Sequence, residues 1–341
     1  MPAESDTIYI RLVKFFRDGY HYFYSSMMKV KRMKCVVVGA KGFLGAVISK
    51  KLGEMGRSVV GVDRMSSSGE APDIHHVSAD IRDASSLRGA FRNAEEVYHV
   101  AANLGTSELE GGIRGAIDTN ILGTLNVLEA ARDEGVARVF IASKPSVWLN
   151  TYTITKHCSE QIARQFGNYN PISVYLFRYL NIYGPGQKLQ PVRKILPIFA
   201  AQAIRGLPVQ IFGDGLQTVD MLFVDDAAQM TIDLMATPPV GRAIDCGTGQ
   251  KMTVIEVANA VNDYFGNNAG IEHLPMRRGE TERTQLVADT TDLDAILPDR
   301  VLTPWEQALD RSLRWYADLP ASKIDACLGF YGIRPRFELA W

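Results

Sequence analysis

The sequence of 341 residues predicts an α/β fold built on a doubly wound parallel sheet, and three observations carry that prediction. Short β-branched runs alternate with stretches of helical spacing through the first half of the chain. The first run ends in glycine and feeds a glycine-rich turn into a helix, and the second run ends in an acid. In chain order, strands are expected over 35–38, 58–63, 77–81, 96–102 and 139–143. Helices are expected over 46–52, 84–91, 113–131 and 152–166, and later over 254–265 and 305–316. Purely parallel strands covered on both faces read as continuous apolar runs, as Val36-Val37-Val38 does.

The turn after the first run is Gly39-Ala40-Lys41-Gly42-Phe43-Leu44-Gly45. Three glycines at this spacing allow a tight turn, close approach of backbone N–H groups to a pyrophosphate, and close packing of helix on strand. Asp63 closes the next strand, where a carboxylate accepts both ribose hydroxyls and repels a 2′-phosphate. This arrangement is a Rossmann-type dinucleotide site selecting NAD, with the adjacent Arg64 leaving NADP open. Ligands of such sheets lie beyond the carboxyl ends of the strands, which places Asp80, Ala101, Ala102 and Ser143 near the crevice.

Tyr152 and Lys156 stand four residues apart in a helical segment and so share one face. An ammonium beside a phenol stabilises the phenolate, which suits a tyrosine for taking a proton from a sugar hydroxyl.

Composition narrows the alternatives. With 37 basic and 38 acidic side chains the formal net charge is −1, which argues against a nucleic-acid binder. No uninterrupted apolar run of spanning length is present, so no membrane span is expected. The four cysteines are scattered and read as buried reduced thiols, and the six histidines lack ligand spacing, so no metal is expected. A cytoplasmic enzyme follows as the default. Residues 1–34 are the exception in charge, with seven basic and three acidic side chains and seven aromatics between Tyr9 and Tyr24. Three readings stay open for this extension: translation starting at Met28 or Met33, an arm packed on a dimer, or a helix on a membrane surface.

Several motifs together resemble the extended short-chain dehydrogenase/reductases, and among them the NAD-dependent nucleotide-sugar epimerase/dehydratase group. They are Gly39xxGly42xxGly45, Asp63, Asp80-Ile81, His99-Val-Ala-Ala102, Asn120 in TNILGTLNVLEA, Tyr152xxxLys156 and Arg178-Tyr-Leu-Asn-Ile-Tyr-Gly-Pro185. The resemblance implies NAD held by Gly39, Gly42, Phe43, Leu44, Gly45, Asp63, Arg64, Asp80, Ile81, Ala101, Ala102, Asn120, Ala142, Tyr152, Lys156, Tyr179 and Leu180. It implies Tyr152 as acid/base tuned by Lys156, a nucleotide-sugar substrate met by Asn103, Lys144, Ser146, Asn181 and Arg277, and a homodimer using the helices near 113–131 and 152–166.

The chain departs from that pattern in three places. The segment between the fifth strand and Tyr152 is short, and Lys144 occupies the place of the family's catalytic Ser/Thr if Val147-Trp148 matches its Val-Tyr. The hydroxyl that polarises the substrate is then Ser143, with Ser146 and Thr151 as alternatives, or else Lys144 itself donates. Lys144-Pro145 also stands where sugar 4,6-dehydratases carry Asp-Glu, so dehydration loses its acid pair while epimerisation survives. Val219 replaces an arginine before Asp220, leaving Arg193, Lys194, Arg277 or Arg278 to meet phosphate.

The expected organisation is an N-terminal extension (1–33), an NAD-binding domain (34–180, with returns near 181–185 and 220–247), a smaller interleaved C-terminal substrate-binding lobe (186–330) and a tail (331–341). The expected activity is epimerisation of a nucleotide-activated sugar through a transient keto intermediate. A nucleotide-sugar dehydrogenase/reductase, a decarboxylase and a non-catalytic NAD-binding scaffold are the alternatives.

Overall fold

The computed structural model describes residues 32–65, 74–277 and 279–333. The N-terminal extension lies outside that set up to residue 31, and its three readings with it apart from the start at Met33; Arg278 and most of the tail lie outside it too. The first half of the chain runs β1 (Lys34–Val38), α1 (Phe43–Glu54), β2 (Ser58–Asp63), β3 (Ile74–Ser78), α2 (Ala84–Phe91) and β4 (Glu96–His99). Next, α3 (Ile113–Ala116) continues through a π-helical stretch (Ile117–Leu122) into α4 (Gly123–Asp133). After it come β5 (Arg138–Ser143), α5 (Thr151–Tyr169) and β6 (Ser173–Tyr179).

These strands, with the later β11 (Ala243–Cys246), form one sheet of seven in the order β3-β2-β1-β4-β5-β6-β11, and every pairing in it is parallel. The order reverses between β1 and β4, the switch point where open parallel sheets leave a crevice. The chain is therefore a doubly wound α/β fold.

The remaining elements are β7 (Asn181–Tyr183), α6 (Ile195–Ile204), β8 (Val209–Phe212), β9 (Thr218–Val219), β10 (Met221–Phe223), α7 (Val224–Met235) and β11 (Ala243–Cys246), then β12 (Met252–Thr253), α8 (Val254–Phe265), β13 (Ile271–Leu274), β14 (Gln285–Leu286), α9 (Thr291–Ile296), α10 (Trp305–Ala317) and α11 (Ala321–Phe330). Of these, β11 returns to the central sheet beside β6, while β8 and β13 pair apart from it.

Two apolar clusters hold these layers. One joins Val36, Val38, Val97, Val139 and Ile141 of the sheet to Leu87, Phe91, Val127 and Leu128 of α2 and α4. The other joins α6, α8, α10 and α11 through Phe199, Val257, Val261, Leu313, Tyr316 and Ile324. Complete burial of each such Val or Leu stabilises the fold by about 1.5–3 kcal/mol relative to an exposed one. Helix ends are fixed locally: the Asn150 side chain accepts from Thr153 N at 2.9 Å to start α5, and Thr253 with Glu256 forms a capping box on α8.

Three expected elements differ in detail. The third strand ends at Ser78 rather than Ile81, because the Asp80 carboxylate accepts the Arg82 backbone N–H at 2.9 Å and turns the chain there. The fourth ends at His99 because Val100 N and Ala101 N both donate to Val38 O, which closes the ladder. The helix expected over 113–131 is interrupted by its π stretch, which carries Asn120. All four cysteines are unpaired, and Cys35, Cys246 and Cys327 are buried.

Candidate active site

A cleft of about 680 Å³ opens at the carboxyl ends of the central strands. Its floor is the turn between β1 and α1. Gly39 has φ +93°, a left-handed value that favours glycine, and a Cβ there would lie 2.7 Å from Ala101 N. A Cβ on Gly45 would lie 2.1 Å from Gly39 O, so helix and turn touch backbone to backbone. Asp63 closes the same turn, its carboxylate accepting from Lys41 N at 3.0 Å and from Met65 N at 3.2 Å. Asp80, expected beside the ligand, lines the cleft and also holds Arg82 in a bidentate pair, which lowers its carboxyl pKa from the ordinary value.

The catalytic candidates come from β5 and α5. Tyr152 and Lys156 both line the cleft, one turn apart on α5. Burial pushes the Tyr152 phenol above its usual range and pulls Lys156 down to about 8, with Glu160 one turn further partly offsetting the second shift. His99, at the end of β4, is held down to about 3 by its burial and by the Lys156 charge, so it stays neutral. Its Nε2 meets Thr124 Oγ1 at 3.1 Å.

Lys144 is half-buried, donating from Nζ to Thr153 Oγ1 at 2.6 Å. The same Nζ lies 5.4 Å from the Trp148 ring centroid and 5.7 Å from that of Tyr152. Ser143, expected to aim its hydroxyl at the substrate, instead donates to Glu160 Oε2 at 2.7 Å.

Across the cleft, Phe212 carries two cations on its ring, Arg193 at 4.8 Å and Arg277 at 5.4 Å from the centroid. Arg277 pairs with Glu280. Lys194, next to Arg193, is lowered by burial. The short 144–150 segment is tied to this side by Trp148 Nε1 donating to Thr284 Oγ1 at 3.2 Å and Asn150 Nδ2 donating to Gly279 O at 3.3 Å. Among the described residues, Asn181 Nδ2 and Arg277 Nε are buried donors without a partner, and both side chains line the cleft.

Thus most of the expected residues converge, including Phe43, Leu44, Arg64, Ile81, Ala102, Asn103, Ala142, Tyr179 and Leu180. Two do not. Asn120 is 1% exposed and absent from the lining; its amide accepts from Asn103 N at 2.7 Å and donates to Asn103 O and Thr155 Oγ1, both at 3.0 Å. It holds the loop after β4 to α5 instead of facing the cleft. Ser146 is exposed and lies outside the lining. The Phe212 platform is not among the expected residues, although an aromatic just before Gly213-Asp214-Gly215 is its signal in the sequence.

A model of the NAD dependent epimerase/dehydratase family matches residues 35–247. This chain belongs to that family. It is 26% identical over 320 residues to UDP-N-acetyl-alpha-D-glucosaminuronate decarboxylase of Bacillus cytotoxicus, covering 84% of this chain and 99% of that one. It is 28% identical over 282 residues to UDP-glucose 4-epimerase of Mycolicibacterium smegmatis, covering 74% and 90%. Among solved structures, an epimerase from the methanogen Methanothermobacter thermautotrophicus superposes with a TM-score of 0.79 at 26% identity, covering 84% of this chain and 93% of the other. The family's cofactor is NAD, and the β1–α1 turn fits it: Gly39, Gly42 and Gly45 line the cleft with bare backbone, and the tight packing of Gly39 on Ala101 and of Gly45 on Gly39 admits no side chain at either position.

Proposed function

We propose that the protein is an NAD-dependent epimerase of a nucleotide-activated sugar, of the 4-epimerase type. The observation that carries this is the meeting of Tyr152 and Lys156 with the glycine turn and Asp63 in one cleft. In this reading Gly39, Gly42 and Gly45 admit the pyrophosphate of NAD, Asp63 takes the adenosine ribose, and Lys156 takes the nicotinamide ribose. Bound NAD supplies a reversible hydride acceptor. Tyr152, whose phenolate would be favoured against its burial by the Lys156 charge and the positive nicotinamide of bound NAD, removes the proton of the sugar hydroxyl and returns it once the keto sugar has turned.

Charge and unmet hydrogen bonds support a nucleoside diphosphate on the far side. Arg193, Lys194 and Arg277 cluster there, and the unpartnered Asn181 Nδ2 and Arg277 Nε await acceptors. The domain division at about residue 180 is part of the same proposal, with the residues beyond it forming the substrate lobe. So are a cytoplasmic setting and a homodimer; the exposed Ile113, Ile117, Leu122 and Ile154 on the α3–α5 face support the dimer.

The Bacillus relative favours a second reading, decarboxylation of a sugar acid on the same cofactor. Incubation with a panel of nucleotide sugars, read by NMR, separates them. Epimerisation yields the inverted sugar with no net NADH and no carbon dioxide. Released carbon dioxide selects the second reading, and no conversion by NAD-loaded protein overturns both.

A further inference from the structure

Building on this functional reading, we propose that the Lys144 ammonium, rather than a hydroxyl, holds and polarises the reacting sugar oxygen beside Tyr152. The hydroxyls near that position are engaged or turned away. Ser143 Oγ donates to Glu160 Oε2 at 2.7 Å, and Glu160 is gripped from its other side by Arg178 Nε at 2.9 Å and Nη2 at 2.6 Å. Ser146 is exposed, and neither it nor Thr151 lines the cleft. Thr153 is 2% exposed and accepts from Lys144 itself.

Lys144 does line the cleft, and its Nζ stands over the Tyr152 ring, 5.7 Å from the centroid, so the two side chains border the same part of the cleft, where a sugar oxygen would meet both. An ammonium carries three donors; Thr153 takes one, which leaves two for a ligand. The surrounding charges are Lys194 and Glu280 on the facing segments, with Tyr152 and Lys156 on α5. Burial, with Lys194 adding and Glu280 opposing, brings Lys144 down to about 8, so the side chain is mainly cationic at neutral pH.

The chemistry asks no covalent change of Lys144. Tyr152 accepts the hydroxyl proton, and Lys144 keeps its own protons while donating a hydrogen bond to the oxygen as negative charge grows on it. A fixed donor aimed at an oxygen where negative charge develops supplies about 10²–10³-fold in kcat. The Trp148 ring beneath Nζ, itself anchored to Thr284, restrains where that donor points.

The test uses NAD-loaded enzyme with UDP-glucose, UDP-glucuronate and UDP-N-acetylglucosamine as probes, and scores folding by NAD content and melting temperature. Lys144→Met is expected to lower kcat by about 10²–10³-fold with little change in KM. Lys144→Ser, which places a short hydroxyl there, is expected to recover part of the loss. Wild-type kcat/KM should fall above about pH 8 with a two-proton slope, from Lys144 and Lys156, and Lys144→Ser should reduce it to one proton. If Lys144→Met fails to hold NAD, the slope in Lys144→Ser decides.

Unchanged kcat in Lys144→Met overturns the proposal and leaves the epimerase reading intact. A KM increase confined to UDP-glucuronate does the same, marking Lys144 as a carboxylate anchor. Absence of any conversion by the wild type overturns the functional reading, and the proposal with it.

Discussion

Ser143 Oγ lies 2.7 Å from Glu160 Oε2, and the carboxylate of Glu160 also receives the Arg178 guanidinium. Three elements, β5, α5 and β6, are thereby joined through one carboxylate that is 2% exposed. Glu160 sits one turn beyond Lys156, so the same knot fixes the helix that carries Tyr152 and Lys156.

Glu160→Ala is expected to cost about 2–3 kcal/mol of stability. Removing one partner of a buried pair costs more, but the Arg178 side chain is about a third exposed and water relieves part of it. Ser143→Ala removes a single hydrogen bond and is expected to cost about 1 kcal/mol. Denaturant melts check both. Turnover of Ser143→Ala within a few-fold of wild type agrees with a structural serine, whereas a hundred-fold loss restores it as the polarising hydroxyl.

Tyr152→Phe keeps the ring and removes the acid/base. Loss of about 10²–10⁴-fold in kcat is expected, with NAD content unchanged, measured by product NMR and by cofactor release on denaturation. A variant retaining wild-type turnover contradicts the assigned role.

Lys156 contributes a stability change with a definite sign. Its folded pKa, about 8, lies below the ordinary 10.5, so between these values the unfolded chain binds more protons than the folded one. Stability therefore rises with pH across that window as the buried charge is shed. Lys156→Met should flatten the rise in NAD-free protein, as read by melts from pH 7.5 upward. Activity runs the other way, because the cation that holds the Tyr152 phenolate is lost over the same interval.

Asp63 tests cofactor choice. With its carboxylate at the end of β2 and Arg64 beside it in the cleft, Asp63→Ser removes the repulsion toward a 2′-phosphate. The ratio of NAD to NADP affinity is expected to fall by at least about tenfold, or 1.4 kcal/mol. An unchanged ratio by fluorescence titration removes Asp63 from that role.

Gly45→Ala is expected to abolish NAD binding or folding, because its Cβ would stand 2.1 Å from Gly39 O, where only backbone movement relieves the clash. Circular dichroism and bound NAD report which. A normally folded, NAD-loaded variant contradicts this packing.

Much of the architecture was written in local patterns. The β-branched run of β1, the glycine turn, the Asp63 strand end and the spacing of Tyr152 and Lys156 depend on period and backbone freedom, which neighbouring residues settle among themselves. Side-chain allegiance was not local. Asn120 faces Asn103 and Thr155, 17 and 35 residues away, and Ser143 finds Glu160 17 residues on. The sequence alone established the doubly wound α/β fold, the dinucleotide turn and the Tyr152–Lys156 pair. Only the tertiary structure decided that the Ser143 hydroxyl serves Glu160 while Lys144 faces Tyr152, because a buried polar group takes the partner that packing brings within reach, and the order of residues does not name that partner.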